Sequence, residues 1–447
     1  MSVLPIIFEN NPMNITSPNR IPAAPGIGKS TALKAMLAVL LALSFAARAQ
    51  QVIIPAPSYP VTPPAVQESE ANNEMTVFSS EGNAPGTQET QPFQYGIFTL
   101  RPHPYYRFLY GNGILSNTNQ AENTVINQIS PGFLIDIGRH WTLDYTPTWT
   151  LYSNNRFHDT LDHIITLTGG TSYEDWTLGL SQVVALTSDP VVETAAQTTQ
   201  ETYTTTFNAS YQINSKMFTD LGLNQNIISA DQFNSSREWS LLDWLNYEFW
   251  PRLNAGVGAG FGYDNVQPGS AMTNSPDMVY EQFQGRVNWR ATDKISFQIN
   301  AGGQDSQFLG SSGAGDLLSF IFGAAIQYQP FEVTKITISA GRNVSPSYYA
   351  GQTTENTDFS GDLNQRLLGK LYLDLQGGYH VVKYVASANN TTAGREDDLY
   401  SVSVQLSYPF AKRGSVAAFY QASSNSSTLA GFGYSSSQVG FQISYSY

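Results

Sequence analysis

From about residue 93 to the C-terminus, apolar and polar side chains alternate in stretches of roughly ten residues, each ended by a tight turn or a longer polar loop. Trp141, Leu143, Tyr145, Pro147, Trp149 and Leu151 alternate with Thr142, Asp144, Thr146, Thr148 and Thr150. Tyr203, Phe207, Ala209, Tyr211 and Ile213 alternate with Thr204, Thr206, Asn208, Ser210 and Gln212. Leu253, Ala255, Val257, Ala259, Phe261 and Tyr263 alternate with Asn254, glycines and Asp264. The pattern recurs in 295–303, 318–328, 371–381 and 400–410. Successive strand side chains point to opposite faces, so each stretch predicts a strand with one apolar and one polar face. A helix would scatter the same apolar residues around its circumference.

The spacing of the breaks predicts a topology. Short turns fall near Arg139, Asp175, Ser215, Pro251, Asp293, Pro330, Lys370 and Lys412, each one hairpin plus one loop after the last. Longer polar segments occupy 111–122, 153–162, 187–202, 228–240, 264–281, 304–317, 343–358, 386–398 and 422–434. Nine loops and eight turns predict an all-β, antiparallel up-and-down transmembrane β-barrel of about 18 strands, with 16 the alternative if one segment is divided wrongly. Pro102 and Pro104 cannot donate to a ladder, which places the start of the first pairing strand near Tyr105.

Composition supports a wall over a packed globule. Charged residues make up 13% of the 447, about half the usual ~25%. Aromatics reach 13%, Gly numbers 36, and mean hydropathy is only −0.23. Trp141 and Trp149, Tyr203 and Tyr211, and Phe283 and Trp289 share faces at spacings that frame an apolar band of about 25 Å between aromatic girdles. With no Cys, disulfide scaffolds, thiolate metal sites and cysteine nucleophiles are excluded.

Residues 35–46, AMLAVLLALSFA, follow Lys29 and Lys34 and precede Ala47-Arg48-Ala49, the pattern of a cleaved signal peptide over 1–49, with Met13 an alternative start. About a dozen apolar residues are too few for a spanning helix. Gly26-Ile-Gly-Lys-Ser-Thr31 imitates the end of a phosphate-binding loop, but Ala23 stands where the motif needs Gly and no strand precedes it. Residues 50–92, rich in Pro, Gln, Glu and Ser, read as a flexible periplasmic segment. Export would remove Arg20, Lys29, Lys34, Arg48 and Glu9, leaving 18 of 22 basic and 34 of 35 acidic residues, a net −16 that argues against nucleic acid as a partner.

The chain closes with Val439, Phe441, Ile443, Tyr445 and Tyr447 on one face. This resembles the C-terminal signal by which the β-barrel assembly machinery recognises outer-membrane proteins, with Phe441, Ile443, Tyr445 and Tyr447 as its residues. Residues 93–447 resemble bacterial outer-membrane porin-like barrels, and loosely the β-barrel porin-2 group. The resemblance implies a bacterial outer-membrane location, contact with outer-membrane lipid and an assembly-machinery partner. It leaves self-association open.

A wide barrel with a polar interior suggests a channel for passive diffusion of small hydrophilic solutes or saccharides. Candidate charges for the pore lining are Asp144, Asp264, Arg286, Arg290, Asp362, Arg366, Asp374 and His380. The alternatives are a barrel associated with exopolysaccharide export, a structural or adhesive barrel, and a barrel hydrolase. The five His residues join no catalytic signature, so no enzyme activity, no cofactor and no resident metal are expected. His158, Asp159, Asp162 and His163 form the most suggestive cation-binding cluster, on a predicted extracellular loop.

Overall fold

The computed structural model describes residues 93–112, 123–231, 233–269, 275–310, 315–386, 394–410 and 413–446. The predicted segments 1–49 and 50–92, the turn residue Lys412 and the terminal Tyr447 lie outside them.

A three-residue β1 (Phe93–Tyr95) precedes β2 (Phe98–Asn112). Then come β3 (Asn123–Ile137), β4 (Trp141–Tyr152), β5 (Thr160–Tyr173) and β6 (Trp176–Thr187). A loop carries the two-residue strands β7 (Pro190–Val191) and β8 (Ala196–Gln197). The walk continues through β9 (Gln200–Gln212), β10 (Met217–Ala230), β11 (Ser235–Trp250), β12 (Leu253–Gln267), β13 (Asp277–Thr292), β14 (Ile295–Leu309) and β15 (Leu317–Phe331). It ends with β16 (Thr334–Pro346), β17 (Gln352–Leu367), β18 (Leu371–Ala386), β19 (Glu396–Phe410), β20 (Gly414–Ser427) and β21 (Tyr434–Tyr445).

Each long strand pairs antiparallel with its neighbours, and β2 closes onto β21 through Tyr105–Asn112 against Ser437–Ser444. The result is a closed barrel of 18 strands rather than 16, with β1 a short addition on β2 and β7–β8 a separate hairpin. Pairing of β2 with β3 begins already at Phe98, earlier than the prolines suggested. Its other edge meets β21 only from Tyr105, so Pro102 and Pro104 sit where that edge has no wall strand to serve.

The two faces differ as the alternation demands. On β13, Phe283 and Trp289 are 64% and 47% exposed, whereas Gln282 and Gln284 are 5% and 3%. In a closed barrel the face that exposes aromatics points outward and the polar face lines the lumen. Same-face partners across every ladder extend this assignment around the wall. The outer face carries Trp141, Trp149, Tyr211, Val257, Phe359, Tyr400, Phe441, Ile443 and Tyr445.

The strands are longer than the alternation indicated, 12 to 16 residues. Two segments predicted as long loops, 228–240 and 343–358, shrink to residues 231–234 and 347–351. About 9–11 residues suffice to cross the hydrocarbon. Beyond it both faces meet water or other loops, so the ladder continues while the apolar alternation that betrays it stops. The predicted turn at Pro330 lies two residues further on, at Glu332–Val333.

On β12 the inner face is glycine: Gly256, Gly258, Gly260 and Gly262. Large neighbours from both sides lie across it. A Cβ on Gly258 would sit 2.6 Å from the Trp244 ring, and one on Gly262 would sit 2.1 Å from Tyr280. Tyr280 is buried and donates its hydroxyl to Glu238, so it cannot swing away. Gly262→Ala is expected to destabilise the barrel by about 1–3 kcal/mol, read as heat-modified gel migration at lower temperature. Gly285→Ala, on the outer face with open space at its Cβ, should leave that temperature unchanged.

Candidate functional site: a polar lumen closed at one end by converging loops

All eight charged residues singled out in the sequence lie on the inner parity. Asp264 faces Glu238 across β11–β12, Arg286 and Arg290 follow on β13, and Asp362, Arg366, Asp374 and His380 line β17–β18. Asp144 faces Leu134 on β3–β4. They form separate stations around the wall. His103 Nε2 lies 2.9 Å from Asp144, and Asp358 takes His380 Nδ1. Arg286 pairs with Asp220, donates from Nε to Asn246 Oδ1 at 2.7 Å, and lies over Trp244 with its guanidinium carbon 4.6 Å from the ring centre. Arg107, not anticipated from the sequence, stacks 4.3 Å above Phe419 and donates to Gln421 at 3.0 Å. Between the charges runs a hydrogen-bonded lattice of amides: Asn300 donates to Gln284 at 2.8 Å, Asn288 to Asn254 at 2.9 Å, and Gln421 to Gln438 at 2.7 Å. Such a wall keeps opposed charges and amide dipoles in fixed places, the arrangement that sets selectivity in pores.

Exposure along the inner face is graded. On β13, Arg290 near the short turn is exposed, Arg286 half-buried, and Gln284, Gln282, Tyr280 and Met278 toward the long-loop end are buried. The wall alone does not explain this; the loops do. Strand β15 pairs with β16 only as far as Phe322 opposite Arg342, while β16 and β17 stay paired to Pro346 opposite Thr353. The free hairpin tip therefore leaves the wall and folds into the mouth, where Asn343, Val344, Thr353 and Thr354 are buried on both of its faces. Glu355 on its back takes the Ser319 hydroxyl from the inner face of β15 at 2.7 Å and Arg342 Nη2 at 2.7 Å.

The loop holding β7 and β8 comes from the other side. Its Glu193 carboxylate accepts from the Ser347 hydroxyl at 2.5 Å and the Tyr348 N–H at 2.8 Å. Arg395 donates to the Glu193 backbone carbonyl at 3.0 Å, binds Asp397 through two nitrogens, and stacks between Tyr384 and Phe432. Tyr348 donates to Gln200 at 2.7 Å, and Asn234 donates to the Ser347 carbonyl at 3.2 Å and to Ser275 at 3.1 Å. Phe233, Tyr348, Tyr349 and Phe432 meet edge to face. Segments from six loops thus join across the mouth. Burial pushes the Glu193 carboxyl up to about 7, and burial with the nearby Asp162 charge pushes Asp189 up to about 7.

These constriction residues escaped the sequence reading because loop positions carry no period, and their partners stand 154 and 202 residues away. The cluster predicted at His158–His163 does not assemble. Strand β5 already starts at Thr160, so Asp162 points inward and takes the Ser188 N–H at 3.0 Å. His163 points outward to the Tyr145 hydroxyl at 3.0 Å, and Asp159 accepts from the Tyr152 N–H. Among the described residues no group of three or more His, Asp or Glu is placed to hold a metal ion.

An up-and-down antiparallel barrel with an apolar outer band and a polar inner wall has the architecture of a transmembrane β-barrel, with short turns at one end and longer loops at the other. Residues 283–447 match the family model described as "Putative beta-barrel porin 2". No curated protein matches the chain. Among solved structures, the chain is similar to Pseudomonas aeruginosa OccK2 (OpdF), with a TM-score of 0.42 and 9% identity over 78% of this chain and 98% of that one. Pseudomonas aeruginosa OccK3 (OpdO) gives 0.40 and 11% over 78% and 95%. Acinetobacter baumannii OccAB4 gives 0.41 and 10% over 78% and 98%.

Proposed function

We propose that this chain forms a channel for passive diffusion of small hydrophilic solutes across the outer membrane. The observation that carries the reading is the closed 18-strand wall whose inner face is amides, hydroxyls and paired charges, wide enough in principle for an aqueous path. The loops that meet across the extracellular mouth make that path narrow and selective. Asp144, Asp264, Arg286, Arg290, Asp362, Arg366, Asp374 and His380 line it on this reading. Export through the signal peptide of residues 1–49, a flexible periplasmic segment at 50–92, and assembly through Phe441, Ile443, Tyr445 and Tyr447 complete the proposal. Diffusion of this kind needs no chemical step by the protein.

Purified barrel in planar bilayers should give discrete conductance steps. A barrel that inserts and gives none would remove the channel reading. Neutralising Arg286 and Arg290 together, as Gln, leaves Asp220 without its cation and should shift the cation-to-anion permeability ratio toward cations by roughly twofold. Unchanged selectivity would take both arginines out of the conducting path.

A further inference from the structure

Glu238 and Asp264 are direct cross-strand partners on the inner face of β11 and β12, at the long-loop end, and are 8% and 0% exposed. Side chains opposed in this way stand about 5 Å apart at Cβ, and like charges there repel. The charge of Asp277 on β13 adds to the repulsion. Glu238 accepts the Tyr280 hydroxyl. Neither Asp264 oxygen completes a hydrogen bond, although the Arg237 N–H lies close by. Among the described residues the cations on this side of the lumen are committed elsewhere: Arg286 to Asp220, Arg342 to Glu355 and Arg395 to Asp397. Two carboxylates thus face each other inside the wall with no cation between them.

A buried carboxylate without donors is costly, and buried polar groups are as a rule satisfied by some partner. What Asp264 lacks is a positive charge with several donors. A primary ammonium supplies both, since it has three N–H donors and no acceptor. A hard divalent metal ion is a poorer match. It takes about six or more oxygen ligands, and here the nearby Tyr280 hydroxyl is turned to Glu238 as a donor. We propose that Glu238 and Asp264 form a binding station for the permeating solute, and that this solute carries a primary ammonium group. Resting on the channel reading above, this narrows the cargo to small cationic solutes. An ammonium between the two carboxylates removes their repulsion and gives Asp264 its missing donors. Asp162 on the inner face of β5, with Asp189 and Glu193 in the loop that follows β6, places further carboxylates at the same end. Together they draw cations toward the station.

Added on the long-loop side, 1,4-diaminobutane should interrupt the single-channel potassium current of the parent. Glu238→Gln with Asp264→Asn should raise the half-blocking concentration by about fivefold or more, in a variant whose folding is checked by heat-modifiable migration. Asp293→Asn, which removes a negative charge from an exposed short turn at the other end, should leave that concentration unchanged. Butanedioate, a dianion of the same chain length, should not block. Equal block of parent and double variant, or equal block by butanedioate, overturns the proposal and leaves the channel standing. Magnesium that blocks the parent at a lower concentration than the diamine overturns it in favour of a metal site. A parent that inserts without conducting removes the channel reading, and this inference with it.

Discussion

Removing residues 189–198, and joining Ser188 to Thr199 with a short Gly-Ser link, is expected to raise single-channel conductance roughly two- to fourfold. The two flanks already touch, with the Ser188 and Thr199 hydroxyls 3.0 Å apart, so the excision closes without straining β6 or β9. It takes away Glu193, the anchor for Ser347 and Tyr348, and with it the tie between two loops that arise eight wall strands apart. The β16–β17 tip keeps its own hold on β15 through Glu355 and Ser319, so the lumen should widen without the barrel coming apart. Planar-bilayer recording checks this, with heat-modifiable migration as the control for folding. Conductance unchanged in a folded variant would show that the loop does not obstruct the path.

Conductance of the parent protein is also expected to rise with pH from about 5, levelling off near 8. The docked loop holds Asp189 and Glu193 with pKa values raised to about 7. A carboxyl with a higher pKa in the docked state binds its proton more tightly there, so acid favours docking. As pH climbs from the ordinary carboxylate range through 7, docking progressively loses on the order of 3 kcal/mol for each group. The loss levels off about one pH unit above these raised values. The groups facing Glu193 act in opposite senses: the Arg395 charge lowers its pKa and the Asp397 charge raises it, while burial outweighs both. Asp189 faces Asp162, whose charge adds to burial. Asp189→Asn with Glu193→Gln should flatten the profile, since neither amide ionises. A parent whose conductance is constant over this range, or falls, would contradict the assigned direction.

Much of the wall was legible in the chain because it obeys a period. Alternation depends only on the geometry of a single strand and the presence of different solvents on its two sides, so Trp141 with Thr142 or Phe283 with Gln284 announces its face without reference to any neighbour. For that reason the inward parity of Asp144, Arg286 or His380 could be read directly. The same reading misjudged strand ends at 228–240 and 343–358, where the ladder outruns the membrane and no solvent contrast remains to mark it. It also grouped Asp162 with His163 as neighbours on a loop, although adjacent residues on a strand point to opposite sides of the wall.

By itself, then, the sequence determined an antiparallel barrel of about 18 strands, with 16 left open, and the polarity of its two faces, because each follows from local backbone geometry and repeated polarity. Tertiary structure alone decided what happens inside the wall. Glu193 against Ser347 and Arg395 between Tyr384 and Phe432 are placed by closure of the ring and by register across several strands. Contacts between distant segments are fixed by that geometry and leave no period along the chain. The polar lumen was therefore readable in advance, and the loop contacts that join across its mouth were not.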